Sequence, residues 1–131
     1  MGILRLDNVW YSYRSKYQSV DALQGVSYEF ERGFVYGIVG KSGSGKSTML
    51  SLLAGLDVPD AGVVLFEGRP TSSMKLDKYR RECAAVVYQD FRLFPLLTVL
   101  ENIMYPMELM KFKGKKAREK ARELAAKVSL P

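Results

Sequence analysis

The sequence predicts an α/β fold: strands first, then a strand–loop–helix unit, then helices. Three observations carry that expectation. Residues 3–13, ILRLDNVWYSY, are rich in the β-branched and aromatic types that strands favour. Residues 34–39, FVYGIV, are apolar without alternation, the pattern of a strand covered on both faces. Directly after them stands the glycine-rich GKSGSGKST at 40–48, and then apolar residues at helical spacing.

Each element follows in order. Residues 14–19, RSKYQS, read as a polar loop. Residues 26–31 alternate, with Val26, Tyr28 and Phe30 apolar against Ser27, Glu29 and Glu31, which predicts a half-buried strand. Arg32-Gly33 turns into the apolar run. Beyond the glycine-rich stretch, Met49, Leu52, Leu53 and Leu56 recur at helical spacing, and Gly55 suits the end of that helix. Residues 59–62 read as a turn, VVLF at 63–66 as a strand ended by Glu67-Gly68, KLDKYRRE at 75–82 as a short helix, and AAVVYQ at 84–89 as a further strand. Thr98 with Glu101 three residues on is a capping box opening a helix over 98–110. Pro106 should bend or end it. Residues 115–128 predict an amphipathic helix with Ala117, Ala121, Leu124 and Val128 on one face. Lys115, Arg118 and Arg122 lie off that face, and Glu123 pairs with Lys127.

Composition sets bounds. The chain has 131 residues, enough for one domain or part of one. It is 47% hydrophobic and 26% charged, an ordinary globular balance that argues against disorder. The whole net charge of +6 lies in residues 111–131, KFKGKKAREKARELAAKVSLP. Such a tail suits nucleic acid or an anionic membrane surface. Its apolar stripe instead favours a helix packed on one side and solvated on the other, so no nucleic-acid partner is expected. Cys83 is the single cysteine and there is no histidine to pair with it. A small buried or half-buried thiol in a reducing, cytoplasmic compartment is expected. Signal-peptide patterning is lacking, and no apolar run approaches the roughly 18–20 residues of a bilayer span. A role at a membrane would need another chain to cross it.

The glycine-rich stretch fits G-x-x-x-x-G-K-[ST]: Gly40, then Lys41, Ser42, Gly43 and Ser44, then Gly45, Lys46 and Ser47. A strand reading before it and a helix reading after it supply the context that separates a phosphate loop from a chance match. Glycines permit positive φ and close approach of backbone to phosphate. N–H groups from about Ser44 to Thr48 form an anion nest at a helix N-terminus. Lys46 is expected to reach the β- and γ-phosphates, and the Ser47 hydroxyl to ligate Mg²⁺. The fold class expected is therefore α/β of the P-loop NTPase kind.

Over nearly all 131 residues the sequence resembles the N-terminal half of the ATP-binding domain of ATP-binding cassette (ABC) transporters. The resemblance rests on DALQGVSYEFERGFVYGIVGKSGSGKSTMLSLLAGLDVPDAGVVLFEG and on AVVYQDFRLFPLLTVLENI, in that order and separation. In detail it is similar to the branch serving lipoprotein release, macrolide export and peptide or bacteriocin export. The resemblance implies an antiparallel β subdomain plus the Walker A core through the Q-loop over residues 1–90, and the start of a helical subdomain over 91–131. It implies ATP and Mg²⁺ as cofactors and Tyr13 as the ring that stacks on adenine. Tyr11 and Tyr17 are rivals, and a strand-end core aromatic is the plainer reading of Tyr13. Gln89 matches the Q-loop glutamine that contacts Mg²⁺ and the attacking water. Phe91, Arg92, Leu93, Phe94 and Pro95 fall where the family meets its membrane subunit. The implied partners are that permease subunit and a second ATP-binding subunit in a head-to-tail dimer. The implied location is peripheral, on the cytoplasmic face of the plasma membrane.

The family's signature LSGGQ, Walker B acid and switch histidine have no match in the 131 residues. The chain is accordingly expected to be an incomplete cassette domain that binds nucleotide weakly or not at all, does not turn over, and as a lone chain shows reduced stability or association. Glu67, after VVLF, and Asp90, after AAVVYQ, offer substitute acids, so a small complete P-loop kinase is one alternative. A truncated, non-hydrolytic binding module is another.

Overall fold

The computed structural model describes residues 2–131, which divide into two compact units, the first running to Val86 and the second from Val87 to Pro131. In the first, β1 (Leu4–Arg14) pairs antiparallel with β2 (Ser19–Phe30) on one side and β3 (Ala61–Phe66) on the other. β3 turns back into β4 (Arg69–Pro70), giving the sheet order β2-β1-β3-β4. Glu67 and Gly68 both take positive φ, 48° and 77°, as a two-residue hairpin turn requires.

Strand β1 does not keep a period of two. Leu6 and Val9 stand three apart, yet both are buried. The register shifts between them, where Asn8 takes φ 48°. Opposite it, a Cβ on Gly62 would overlap the Asn8 carbonyl. This bulge resets the alternation, so both apolar side chains reach one core.

Helix α1 (Lys46–Leu53) covers that core with Leu52, Leu53 and Met49 against Leu6, Val9, Leu23 and Val64. Each fully buried leucine contributes about 1.5–3 kcal/mol. The helix ends as the sequence predicts: Gly55 takes φ 70°, its N–H donates to the Leu52 carbonyl, and the Leu56 N–H donates to the Ser51 carbonyl. A 3₁₀ turn (Thr71–Ser73) leads to α2 (Leu76–Glu82). The buried Tyr79 donates its hydroxyl to the Leu53 carbonyl at 2.7 Å and sets its ring edge-on to Phe66. Burial raises its phenol pKa. Arg80 donates to the Gly55 carbonyl at 2.6 Å, so α2 is fastened to the end of α1.

The second unit is a helix pair, α3 (Val99–Leu109) and α4 (Gly114–Lys127). The capping box is formed: the Glu101 N–H donates to Thr98 Oγ1 at 3.2 Å and the Thr98 N–H donates to Glu101 Oε2 at 2.7 Å. Met104, Ala117 and Ala121 make the core, with Leu100, Ile103 and Met107 packed around them.

Five expectations need correction. Residues 34–39 and 84–89 form no strand; apolar runs become strands only beside a neighbouring ladder, and no described strand pairs with either. Val35, Val39 and Val87 are more than nine-tenths exposed. Cys83 is exposed rather than buried, since it follows the last turn of α2 outside both cores. Pro106 does not end α3, which runs on to Leu109 with the proline on its exposed side. The buried face of α4 is Ala117, Ala121 and Ala125, at strict i,i+4 spacing. Leu124 lies at its margin, and Val128 is the C-cap residue, largely exposed. The Glu123–Lys127 pair forms at 2.9 Å, and Lys120 joins it. Lys127 and Lys120 hold the Glu123 carboxyl below its usual range.

Candidate phosphate-binding site

The loop is shaped by three glycines with different constraints. Gly45 is the N-cap of α1, with φ 93°, and a Cβ there would overlap the Ala22 carbonyl of β2. Gly43 takes φ 78°, another conformation that favours glycine. Gly40 is limited by crowding, because its Cβ would stand 2.7 Å from Ser44 Oγ. The Ser44 N–H donates to the Lys41 carbonyl at 3.2 Å and closes the turn between them.

The first ladder bond of α1 is Met49 N–H to Gly45 O, at 2.9 Å. The N–H groups of Lys46, Ser47 and Thr48 therefore have no carbonyl within the helix to reach. No side chain caps this end and the first turn holds no acidic residue. Helix α3 differs, since the Glu101 carboxylate fills its N-terminus. Its N–H and hydroxyl bonds from Thr98 hold that carboxyl below its usual range. The α1 end keeps its share of about half a positive charge for something outside the helix.

Lys46 folds back over the loop. Its Nζ donates to Gly40 O and Lys41 O, both at 2.7 Å, and to Ser44 Oγ at 3.2 Å. Ser42 and Ser47 are exposed, and Thr48 is buried. Thr48 Oγ1 shares a 2.9 Å hydrogen bond with the Tyr13 hydroxyl, in which either oxygen can donate. Tyr13 is 52% exposed and is the tyrosine brought to the loop. Of its rivals, Tyr17 is 90% exposed, and Tyr11 has its hydroxyl on the Asp57 carboxylate.

Gln89 belongs to the second unit, in a tight turn with Asp90. Phe91 and Arg92 take φ 57° and 50°, and the Arg92 N–H donates to the Asp90 carbonyl at 2.6 Å. The Arg92 guanidinium bonds the Asp90 carboxylate and lies over the Tyr88 ring. Phe91 and Leu93 point largely into solvent, as does Pro95, while the half-exposed Phe94 packs on Tyr105.

Sequence reasoning missed two residues here. Asn102 accepts the Phe94 N–H at 2.9 Å and donates to the carbonyls of Phe94, Leu97 and Thr98, so one side chain shapes the whole exposed loop. No spacing rule announces it. Asp57 was not signalled either, since it lies just before the turn read at residues 59–62.

Residues 23–131 match the model of the ABC transporter family. Across 133 residues the chain is 38% identical to the lipoprotein-releasing system ATP-binding protein LolD of Myxococcus xanthus, covering 99% of this chain and 59% of that protein. It is 40% identical to LolD of Saccharophagus degradans, covering 98% and 58%. Against the uncharacterised ABC transporter ATP-binding protein YclH of Bacillus subtilis the identity is 35%, covering 99% and 57%. The dimeric structure of MJ0796, a bacterial ABC transporter cassette, superposes with a TM-score of 0.82 at 36% identity, over 95% of this chain and 54% of that one. A second structure of that cassette, dimeric and bound to ADP and Pi, gives the same score. The chain thus spans a little over half the length of the relatives it matches.

Proposed function

Because the chain belongs to the ABC transporter family, we propose that its loop Gly40–Thr48 is the phosphate-binding part of an ATP site and that Tyr13 stacks on the base. The observation that carries this reading is Lys46, whose ammonium rests on Gly40 O, Lys41 O and Ser44 Oγ beside an uncapped helix N-terminus. A triphosphate offers the same ammonium better acceptors and offers the free N–H groups their missing partners. The exposed Ser47 hydroxyl would hold Mg²⁺. Gln89 is proposed, from its place in the family's sequence pattern alone, as a metal-contacting residue of the assembled transporter. When bound, the metal would offset the negative charge of the phosphates.

Each residue then has a stated task. Gly40, Gly43 and Gly45 let the backbone turn inward, Lys41 and Ser42 supply loop N–H groups, Ser44 closes the turn onto the Lys41 carbonyl, and Lys46 supplies charge. Thr48 ties the loop to Tyr13. Phe91, Arg92, Leu93, Phe94 and Pro95 are proposed to meet a membrane subunit, supported by their exposure and by the Asn102 bonds that shape the loop. Among the described residues, no helix is long and apolar enough to cross a membrane. For these 131 residues weak binding alone is proposed. Hydrolysis coupled to transport is proposed for the assembled transporter, with a permease and a second cassette at the cytoplasmic membrane face.

Calorimetric titration with Mg-ATP tests the reading. Lys46→Ala should weaken binding about tenfold or more, the scale of a lost charge-assisted hydrogen bond. Equal affinity in the parent and the variant would refute it.

A further inference from the structure

The geometry points to Tyr11 and Asp57 as positioning residues for the base end of this site, acting through Tyr13. The inference rests on the reading of Tyr13 as the base-stacking ring. Tyr13 has two attachments. Its hydroxyl is joined to Thr48 Oγ1, and its ring meets that of Tyr11 edge-on, with centroids 5.1 Å apart and planes at 76°. An edge contact of this kind fixes the tilt of a ring while leaving a face free.

Tyr11 is itself held. Its hydroxyl donates to the Asp57 carboxylate, whose other oxygen accepts the Val58 N–H at 2.8 Å. The same turn grips β1 on either side of Tyr11. The Asp60 carboxylate accepts the Ser12 N–H at 2.7 Å, and the Asp60 N–H donates to the Trp10 carbonyl at 2.9 Å. Asp57 follows the C-terminal cap of α1, and Thr48 sits in its first turn. Contacts therefore run from one end of α1 through Asp57, Tyr11 and Tyr13 back to the other end. They border a cleft of about 130 Å³ that Ser51 and Leu56 help to line. The bond to Asp57 is the main cause that pushes the Tyr11 phenol up to about 12.

This arrangement separates the base end of the ligand from its phosphate end. Calorimetry would compare Mg-ATP with tripolyphosphate, which lacks a base, on the parent chain, Tyr11→Phe, Asp57→Ala, Asp57→Asn and Tyr13→Ala. Tyr11→Phe and Asp57→Ala should weaken ATP binding about fivefold and leave tripolyphosphate binding unchanged. Asp57→Asn keeps an acceptor and should stay close to the parent. Should Asp57→Ala fail to fold, Tyr11→Phe decides alone, because it keeps the whole ring. Equal losses for both ligands would mean a merely structural role and overturn the inference. ATP affinity that falls in Tyr13→Ala but not in Tyr11→Phe would overturn it while sparing the base-stacking reading. An ATP-to-tripolyphosphate ratio unmoved by Tyr13→Ala would end both.

Discussion

Gly45 carries two demands at one position, a left-handed backbone and direct contact with the Ala22 carbonyl. Gly45→Ala meets both the conformational penalty and the overlap. It should destabilise the first unit by about 2 kcal/mol or more, read as a lowered midpoint in urea. Gly43 takes positive φ but has open space around it, so its alanine variant should lose less. The motif spacing made both glycines legible, yet only the structure separates a glycine required by crowding from one required by its backbone alone. Tyr13 was legible in the same partial way. Its type and place were readable, but its bond to Thr48 joins residues 35 apart in sequence, which no local pattern reports.

At the scale of elements, the caps were the most legible feature because they are local chemistry. Thr98 and Glu101 announced α3, and Gly55 announced the end of α1. The α3 cap also predicts a pH dependence. Bonds from Thr98 hold the Glu101 pKa below its ordinary 4.5. Its contribution is therefore fully present above 4.5 and is lost as pH falls through the lower folded-state value. Glu101→Gln keeps a capping side chain without the titrating proton. It should flatten the acid-side loss of helicity followed by circular dichroism, and an unchanged acid limb would contradict the cap's titration. Less legible was β1, where strict alternation fails at Asn8, since a bulge depends on the Gly62 opposite. The buried side of α4 was legible in Ala117 and Ala121 and misjudged in Leu124 and Val128, because hydrophobicity alone overlooks that alanines allow close helix approach.

At the scale of the whole molecule, the apolar runs at 34–39 and 84–89 form no ladder, and Val35 and Val87 stand open to solvent. Their character was legible, but whether they become strands depends on neighbours that a run cannot specify. Unpaired apolar segments without charge are templates for association. The 131-residue chain should scatter light increasingly with concentration, and Val35→Lys with Val87→Lys should reduce that. Scattering unaffected by the double variant would place the sticky surface elsewhere. The first of these runs also feeds the phosphate loop. On its far side the loop is clamped by Gly45 against β2 and by α1 against the core. On its near side the run has no ladder, and Tyr36 tethers it by meeting the Phe30 ring edge-on and accepting the Glu31 N–H. The cradle is thus moored firmly at one end and lightly at the other. On the proposed reading a bound phosphate would become its second mooring, and the heat of binding should then include the settling of residues 37–40.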